Sequence, residues 1–230
     1  DVPVIEDFMP PRLPRVTVHE LNRFTNCSHF ITPNTEFANM CLVEVARGCP
    51  YRCTFCYVGH NLNPYRVTPL ERVKQWIDMR REWTDRFGFV ASAVASHPNI
   101  DDICLYCDEL GVKVSYSSVR AEDITPVMIN SLARSGTQTL TIAPEAGSFR
   151  LRRLLGKARL TDERIMWVVE EGVNAGIPNL KMYFMIGLPT ETEEDIRAIP
   201  DLIRKVQKVF VAASRPRGRI GTISLNVGIF

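Results

Sequence analysis

The chain has 230 residues, of which 45% are hydrophobic and 23% charged, and its formal net charge at pH 7 is +2. This length and balance are typical of one ordinary domain with a substantial core, and they exclude a disordered chain. A charge this small, spread over scattered arginines, favours neither a nucleic acid nor an acidic membrane as partner. No apolar run is long enough to span a bilayer and no secretory signal opens the chain, so we expect no membrane association.

The seven cysteines, three of them in one short loop, favour a reducing compartment, where a thiolate site survives and disulfides do not. We therefore expect a cytoplasmic protein. The chain opens on Asp1 rather than on methionine and stops at Phe230 within a strand-like stretch. From this we expect an excised piece of a longer polypeptide.

Residues 1–38 are rich in proline and show no periodicity, which predicts an extended linker ahead of a domain over residues 39–230. From residue 40 onward, apolar strand-like runs alternate with helical patterns. Strands are predicted near residues 41–47, 88–95, 112–118, 137–144, 180–187 and 220–228. Helices are predicted at about 68–86, 98–110, 124–135, 161–175 and 192–209.

Three glycines that follow predicted helices, Gly111, Gly136 and Gly176, are expected to act as C-terminal stops. The alternation indicates the α/β class, with parallel strands joined by crossover helices in a partial (β/α)6 TIM-like barrel. Reactive groups then gather at the carboxyl ends of the strands. A plain aldolase-type barrel is the alternative, although it needs no group of cysteines after its first strand.

The loop after the first predicted strand carries Cys49, Cys53 and Cys56, with Phe55 directly before the last cysteine. This three-then-two spacing brings three thiolates together, whereas iron-sulfur clusters are normally held by four. A set of three suggests an iron left open for a substrate or cofactor, as catalytic metal sites leave a position free. A zinc knuckle or a chance group of buried thiols is the alternative.

At these residues the chain resembles the radical S-adenosylmethionine (radical SAM) superfamily, whose signature is Cys-x3-Cys-x2-Cys with an aromatic residue before the last cysteine. The resemblance implies a [4Fe-4S] cluster on Cys49, Cys53 and Cys56, whose open iron chelates S-adenosylmethionine. One electron then cleaves the sulfonium to give methionine and a 5'-deoxyadenosyl radical that abstracts hydrogen from a substrate.

The segment after the second strand, which contains Ser92, Ala93 and His97, has small residues that let a ligand approach the backbone. Members of the family usually carry a Gly-Gly-Glu-like segment here that contacts the amino group of the cofactor. This chain has no glycine pair and no acid, so that role passes to Ser92 by position alone. His97, directly before a proline, is expected to be an ordinary loop histidine rather than a proton donor or ligand.

Charged residues follow the third and fourth predicted strands. Arg120 can pair with the cofactor's carboxylate through two parallel hydrogen bonds, and Glu145 can accept hydrogen bonds from both ribose hydroxyls. The alternative is a mutual salt bridge or a helix-capping pair.

The fifth predicted strand runs into a Gly-Leu-Pro-Thr-Glu turn and resembles the adenine-binding strand of the family. The backbone from Met185 to Gly187 is expected to meet the purine. The acidic residues of 191–195 need no role beyond helix capping.

The remaining cysteines show no metal-ligand grouping of comparable strength. Cys104 and Cys107 lie three residues apart on a predicted helix, and a part of an auxiliary cluster is the alternative to core packing, which we favour. Cys27 and Cys41 are likewise expected to be structural.

Four segments within residues 30–230, namely 31–37, 43–49, 143–147 and 183–192, are similar to the subgroup of the family that carries an N-terminal cobalamin-binding domain. If that domain accompanies this chain, methyl transfer to carbon is the leading reaction, with cobalamin as a further cofactor and methylthiolation or rearrangement as runners-up. The expected partners are a small-molecule or cofactor-precursor substrate and a flavodoxin- or ferredoxin-type reductant. A noncatalytic iron-sulfur protein that transfers electrons or senses redox state, and a zinc-stabilised binding module, are the alternatives from other functional classes.

Overall fold

The computed structural model describes residues 16–117 and 119–230. Most prolines of the predicted linker, Pro3, Pro10, Pro11 and Pro14, therefore lie outside the described residues, as does Ser118, the last residue of the third predicted strand. Within the described part, residues 26–28 run antiparallel to the first strand, with Cys27 opposite Val43.

The described residues contain six parallel strands in two three-stranded sheets. The first sheet has the order β1-β4-β5 and the second β6-β7-β8, while β2 and β3 form an antiparallel pair beside them. The strands are β1 (Cys41–Glu44), β2 (Ala46–Arg47), β3 (Arg66–Val67), β4 (Arg86–Val90), β5 (Lys113–Tyr116), β6 (Thr139–Glu145), β7 (Asn179–Ile186) and β8 (Ile223–Ile229). Parallel strands with crossover helices confirm the α/β, TIM-barrel-like class.

Helices lie between the parallel strands. They are α1 (Tyr57–Asn61), α2 (Leu70–Arg80), α3 (Ile100–Glu109), α4 (Pro126–Arg134), α5 (Phe149–Leu154), α6 (Asp162–Ala175) and α7 (Glu193–Ser214). The hydroxyls of Thr125, Thr161 and Thr192 accept hydrogen bonds from the first turns of α4, α6 and α7, so threonine caps fix where these helices begin. The three predicted glycine stops all have positive φ after the helices that they follow.

The two sheets are not joined by a backbone ladder between β5 and β6 within residues 16–117 and 119–230. One cause is local, because the Val114 N–H donates to the hydroxyl of Ser135, 2.7 Å away, instead of to a strand. The core lies between the strands and the helices, and it includes the fully buried Val43, Phe87 and Trp76. None of the helices in the described part combines the length and apolar character that crossing a membrane requires.

Several sequence predictions are wrong in detail. The first predicted strand, 41–47, is divided into β1 and β2, which belong to different sheets. The second predicted strand ends at Val90, and its last residues form a turn followed by a short 3-10 segment, Val94–Ser96, because a short buried apolar run fits either structure. The first predicted helix ends at Arg80 rather than near residue 86, where the chain has already joined β4. The helices α1 and α5 were not predicted, since five or six residues are too few to show periodicity and depend on tertiary packing.

Candidate functional site

The cysteine loop follows β2 and is shaped by close backbone contacts. Gly48 has φ +82°, and a β-carbon on it would lie 2.3 Å from the carbonyl oxygen of Leu62, so only glycine fits. The Cys56 N–H donates to the carbonyl of Cys53 at 3.0 Å, which closes a turn between the last two cysteines. The loop therefore presents its cysteines from a tightly constrained backbone.

A second segment, formed by the end of α5 and the residues after it, packs against the cysteine loop. The Thr54 N–H donates to the carbonyl of Leu155 at 3.3 Å, and its hydroxyl donates to the carbonyl of Leu154 at 3.3 Å. Gly156, with φ +84°, lies so close that a β-carbon would be 3.1 Å from the Cα of Cys53. The cysteines are thus fixed relative to a segment about 100 residues further along the chain.

One cavity of about 330 Å³ brings together most of the residues that the sequence singles out. The predicted residues that line it are Cys49, Cys53, Phe55, Cys56, Ser92, Arg120 and Glu145. The cavity is also lined by Tyr51, Glu122 and Lys157, which the sequence analysis did not single out. The cysteines predicted to bind a cluster and the charged groups predicted to bind a cofactor therefore share a single space at the carboxyl ends of the strands.

The cysteine side chains are largely buried, and Cys49 and Cys53 are less than 9% exposed. Burial raises the pKa of the Cys49 thiol, although the backbone N–H of Tyr51 and the charge of Arg120 act in the opposite direction. Metal binding at such a thiol displaces its proton.

Among the residues that the structure describes, no three His, Cys, Asp or Glu side chains surround a point where one metal ion would sit. A four-iron cluster needs a different arrangement, because each thiolate ligates its own iron. Three cysteines around one cavity, two of them buried, with charged groups in the same lining, are a donor set that fits a [4Fe-4S] cluster.

Arg120 lies between the cysteine loop and two buried carboxylates. Its Nη1 donates to the Sγ of Cys53 at 3.4 Å, its Nη2 donates to Glu122 at 2.5 Å, and its Nε lies 3.3 Å from an oxygen of Asp123. The guanidinium also stacks on the ring of Tyr51, 3.8 Å from its centroid. Although burial acts to lower the pKa of Arg120, the charge of Glu122 and the bond to Cys53 hold it above its ordinary value.

Glu145 ends β6 with φ +68°, beyond an irregularity in the register with β7. A non-glycine residue rarely adopts this conformation, and such strain is concentrated at functional sites. Its carboxylate lies 3.2 Å from the ammonium of Lys157, which also donates to the carbonyl of Ala143. The structure thus pairs Glu145 with Lys157 and not with Arg120.

The predicted adenine strand lies beside this cavity rather than in its lining. Met185 and Phe55 pack against the same small apolar group, formed by Ala146, Leu151, Leu155 and Leu188. Gly187 has φ +82°, with open space where a β-carbon would point, and its N–H donates to the Glu191 carboxylate at 2.6 Å. The adenine role of Met185 and Gly187 stays a prediction.

The histidine and the paired cysteines outside the loop have structural surroundings. The Nε2 of His97 lies 2.9 Å from the carbonyl of Thr68, and its Nδ1 accepts from the Asn99 N–H. Cys104 and Cys107 are completely buried on α3, as the core-packing prediction requires, and burial raises the pKa of both thiols. Cys27 and Cys41 are buried in the same core.

Comparison with known proteins finds a family match and several relatives. The model of the radical SAM superfamily matches residues 43–203. An uncharacterized protein of Methanocaldococcus jannaschii, MJ0966, is 34% identical over 169 residues, which are 73% of this chain and 37% of that protein. The ribosomal protein uS12 methylthiotransferase RimO of Thermodesulfovibrio yellowstonii is 24% identical over 206 residues, 81% of this chain and 48% of that enzyme.

A solved structure shows the same fold. It is the apo form of OxsB, described as a cobalamin-dependent S-adenosylmethionine radical enzyme, with a TM-score of 0.54 and 20% identity. The match covers 71% of this chain and 26% of that one. The present chain therefore spans less than half the length of these relatives.

Proposed function

The chain belongs to the radical SAM superfamily, and from this premise we propose that it is the catalytic core of an enzyme that cleaves S-adenosylmethionine reductively. The family implies a [4Fe-4S] cluster and S-adenosylmethionine as cofactors. The observation that carries the proposal is the cavity that Cys49, Cys53 and Cys56 line together with Glu145 and Lys157. A closed electron-transfer site has no need of such a space.

Cys49, Cys53 and Cys56 would hold the cluster, and charged side chains of the same cavity would hold the sulfonium cofactor. When bound, the cluster supplies one electron, and the cofactor supplies the radical that abstracts hydrogen. Glu145 offers a carboxylate for the ribose hydroxyls, and Phe55 and Met185 contribute apolar surface that keeps out water.

The sequence assigns the cofactor's carboxylate to Arg120, but the Nη1 of that guanidinium donates to Cys53 and its Nη2 donates to Glu122. Lys157 lines the same cavity and is nearly completely buried. An ammonium has three donors, and the structure gives two partners for this one, Ala143 and Glu145. We assign the carboxylate to Lys157.

Ser92 and the backbone from Met185 to Gly187 complete the proposed cofactor site. Ser92 lines the cavity and is assigned to the amino group. The open space beside Gly187 supports the adenine assignment, because a flat ring can approach the backbone there.

Anaerobic reconstitution with iron and sulfide, followed by incubation with S-adenosylmethionine and dithionite, tests the proposal. We expect about four irons and four sulfides per chain, together with 5'-deoxyadenosine that is detected by chromatography. A cluster that forms but yields no 5'-deoxyadenosine would favour the noncatalytic iron-sulfur protein. A colourless protein that retains zinc would favour the binding module.

For the reaction outcome we propose cobalamin-dependent methyl transfer to carbon, supported by the fold shared with OxsB and the subgroup motifs. Methylthiolation is the second candidate, because RimO matches across 81% of the chain. We propose a small molecule or cofactor precursor as substrate and a flavodoxin- or ferredoxin-type protein as electron donor. Purification of the protein that contains this chain with hydroxocobalamin separates the candidates: retained corrinoid supports the first, and a corrinoid-free protein that forms a methylthio product supports the second.

A further inference from the structure

Arg120 lines the cavity, and the proposed reaction does not use its contacts. We propose that it is a positioning residue that sets the reduction potential of the cluster, by donating an N–H to the Sγ of Cys53. The inference rests on the proposed function, because it requires a cluster on the cysteine loop. It assigns Arg120 a role toward the metal site rather than toward S-adenosylmethionine.

The first step of the argument is that the guanidinium is held rigidly. Its side chain is 12% exposed, its Nη2 donates to Glu122, which is 1% exposed, and its Nε lies 3.3 Å from the carboxylate of Asp123, which is 8% exposed. Tyr51 lies across its face and donates its own hydroxyl to Asp123 at 2.7 Å. With these partners in place, its Nη1 donates to the sulfur of Cys53, 3.4 Å away.

The second step concerns the sign of the effect. Reduction adds one negative charge to a cluster and its thiolates, and a hydrogen bond to a ligating sulfur stabilises the more negative state. Burial strengthens such a bond because the local dielectric is low. Arg120 therefore raises the potential and makes the cluster easier to reduce.

The third step separates the hydrogen bond from net charge. Arg120 and Arg159 are positive and Glu122 and Asp123 are negative, so the four charges of this group cancel. Arg159 contacts Tyr51 and Asp123 as Arg120 does, but it is 61% exposed and does not line the cavity with the cysteines. The effect on the cluster should thus follow the contact with Cys53 and not the charge of the group.

The test compares three variants of the reconstituted protein with wild type. Arg120→Lys keeps the charge but loses the planar donor geometry, and the double variant Arg120→Gln/Glu122→Gln loses the contact without changing net charge. Arg159→Gln is the matched control, because it loses a charge from the same group and leaves the contact with Cys53. Iron and sulfide content are measured first, and the reduced fraction is then followed by electron paramagnetic resonance during a redox titration.

At the wild-type midpoint we expect the ratio of reduced to oxidised cluster to fall about tenfold in the double variant, which corresponds to about 59 mV for a one-electron couple. This ratio should fall less in Arg120→Lys, and in Arg159→Gln it should stay close to that of wild type. Equal ratios in all four proteins would overturn this inference and leave the proposed function standing. A larger shift in Arg159→Gln than in the double variant would overturn it in favour of a general field effect, because only Arg159→Gln changes the net charge.

Loss of the cluster in both Arg120 variants would overturn the inference as well, because Arg120 would then serve assembly rather than potential. A wild-type protein that fails to assemble a cluster would contradict the proposed function itself. The two failures are therefore distinguishable by the iron and sulfide content of the wild type.

Discussion

The two walls of the cofactor cavity are built in different ways. The cysteine wall comes from one stretch of eight residues, 49–56, with its backbone constrained by glycine contacts. The charged wall, formed by Arg120, Glu145 and Lys157, comes from three separate segments whose ion pairs form only when the chain folds. Local spacing thus determines the ligands, while long-range packing determines the charges around them.

The sharpest way to test the cysteine wall is to remove its central ligand. Cys53→Ala should abolish both cluster assembly and S-adenosylmethionine cleavage, because two thiolates are left to hold the cluster. Iron, sulfide and 5'-deoxyadenosine are measured after anaerobic reconstitution. Cys107→Ala is the matched control, since this cysteine is also buried but packs in the core. A variant at Cys53 that retained a full cluster would break the distinction between the walls.

The charged wall is tested by replacing Lys157, which carries its ammonium group. Lys157→Met should weaken binding of S-adenosylmethionine roughly 10- to 100-fold, since a hydrogen bond to a charged group contributes about 1.5–3 kcal/mol. Equilibrium dialysis with the oxidised, reconstituted protein measures the dissociation constant. Lys205→Met, which removes an exposed lysine paired with Asp162, should have little effect. Equal affinities for wild type and Lys157→Met would mean that a cation other than Lys157 binds the carboxylate of S-adenosylmethionine.

The backbone of the cysteine loop is tested with a pair of glycines. Gly48 and Gly136 both have positive φ, but a β-carbon on Gly48 meets a carbonyl oxygen at 2.3 Å, whereas the space at Gly136 is open. Gly136→Ala should lower the free energy of unfolding by about 1–2 kcal/mol through backbone strain alone. Gly48→Ala should lower the free energy of unfolding by about 2–4 kcal/mol, because a steric clash is added to the backbone strain. Urea unfolding measures both values. Equal losses would mean that the loop relaxes freely.

The sequence predicts the cysteine wall well because its signal is local. Cys49, Cys53, Phe55 and Cys56 line the cavity as their spacing indicates. Lys157 was missed because it follows a helix of only six residues and shows no motif. Its place in the site depends on how the segment after α5 packs against Cys53, which no spacing within the sequence records.

The fold shows the same division between local and long-range signals. Threonine caps and glycine stops place α4 and α6 within a residue or two of their predicted limits. The strand expected to reach residue 95 stops at Val90, because tertiary packing favours a turn over a short apolar run. The partners of Arg120 were likewise not predictable. Glu122 and Asp123 follow it within three residues, and in the sequence such a buried ion pair cannot be distinguished from a run of exposed charges.

A smaller effect is expected at Asp195, which supports the charged wall by connecting α5 to α7. Asp195 lies in the capping box of α7 and accepts from Arg150 and Ser148, so it ties α5 to α7. The hydrogen bond from Arg150 holds the pKa of this carboxyl well below its usual range. Its contribution to stability is therefore present above the unfolded pKa of about 3.9 and is lost as the pH falls below that value.

We expect Asp195→Asn to lower the free energy of unfolding by about 1–2 kcal/mol at pH 7. The difference from wild type should shrink towards pH 3, because the unfolded wild-type chain takes up a proton at this carboxyl. Urea unfolding at both pH values measures it, with the exposed Asp201→Asn as control. A difference independent of pH would contradict the role of the ionised carboxylate.

The most direct test of the account is electron paramagnetic resonance of the reduced, reconstituted protein with and without S-adenosylmethionine. If one iron is open and faces the wall with Glu145 and Lys157, the cluster signal shifts when S-adenosylmethionine is added. A signal that stays unchanged at saturating S-adenosylmethionine would mean a closed cluster, and the account of the cavity as a radical enzyme's active site would be wrong.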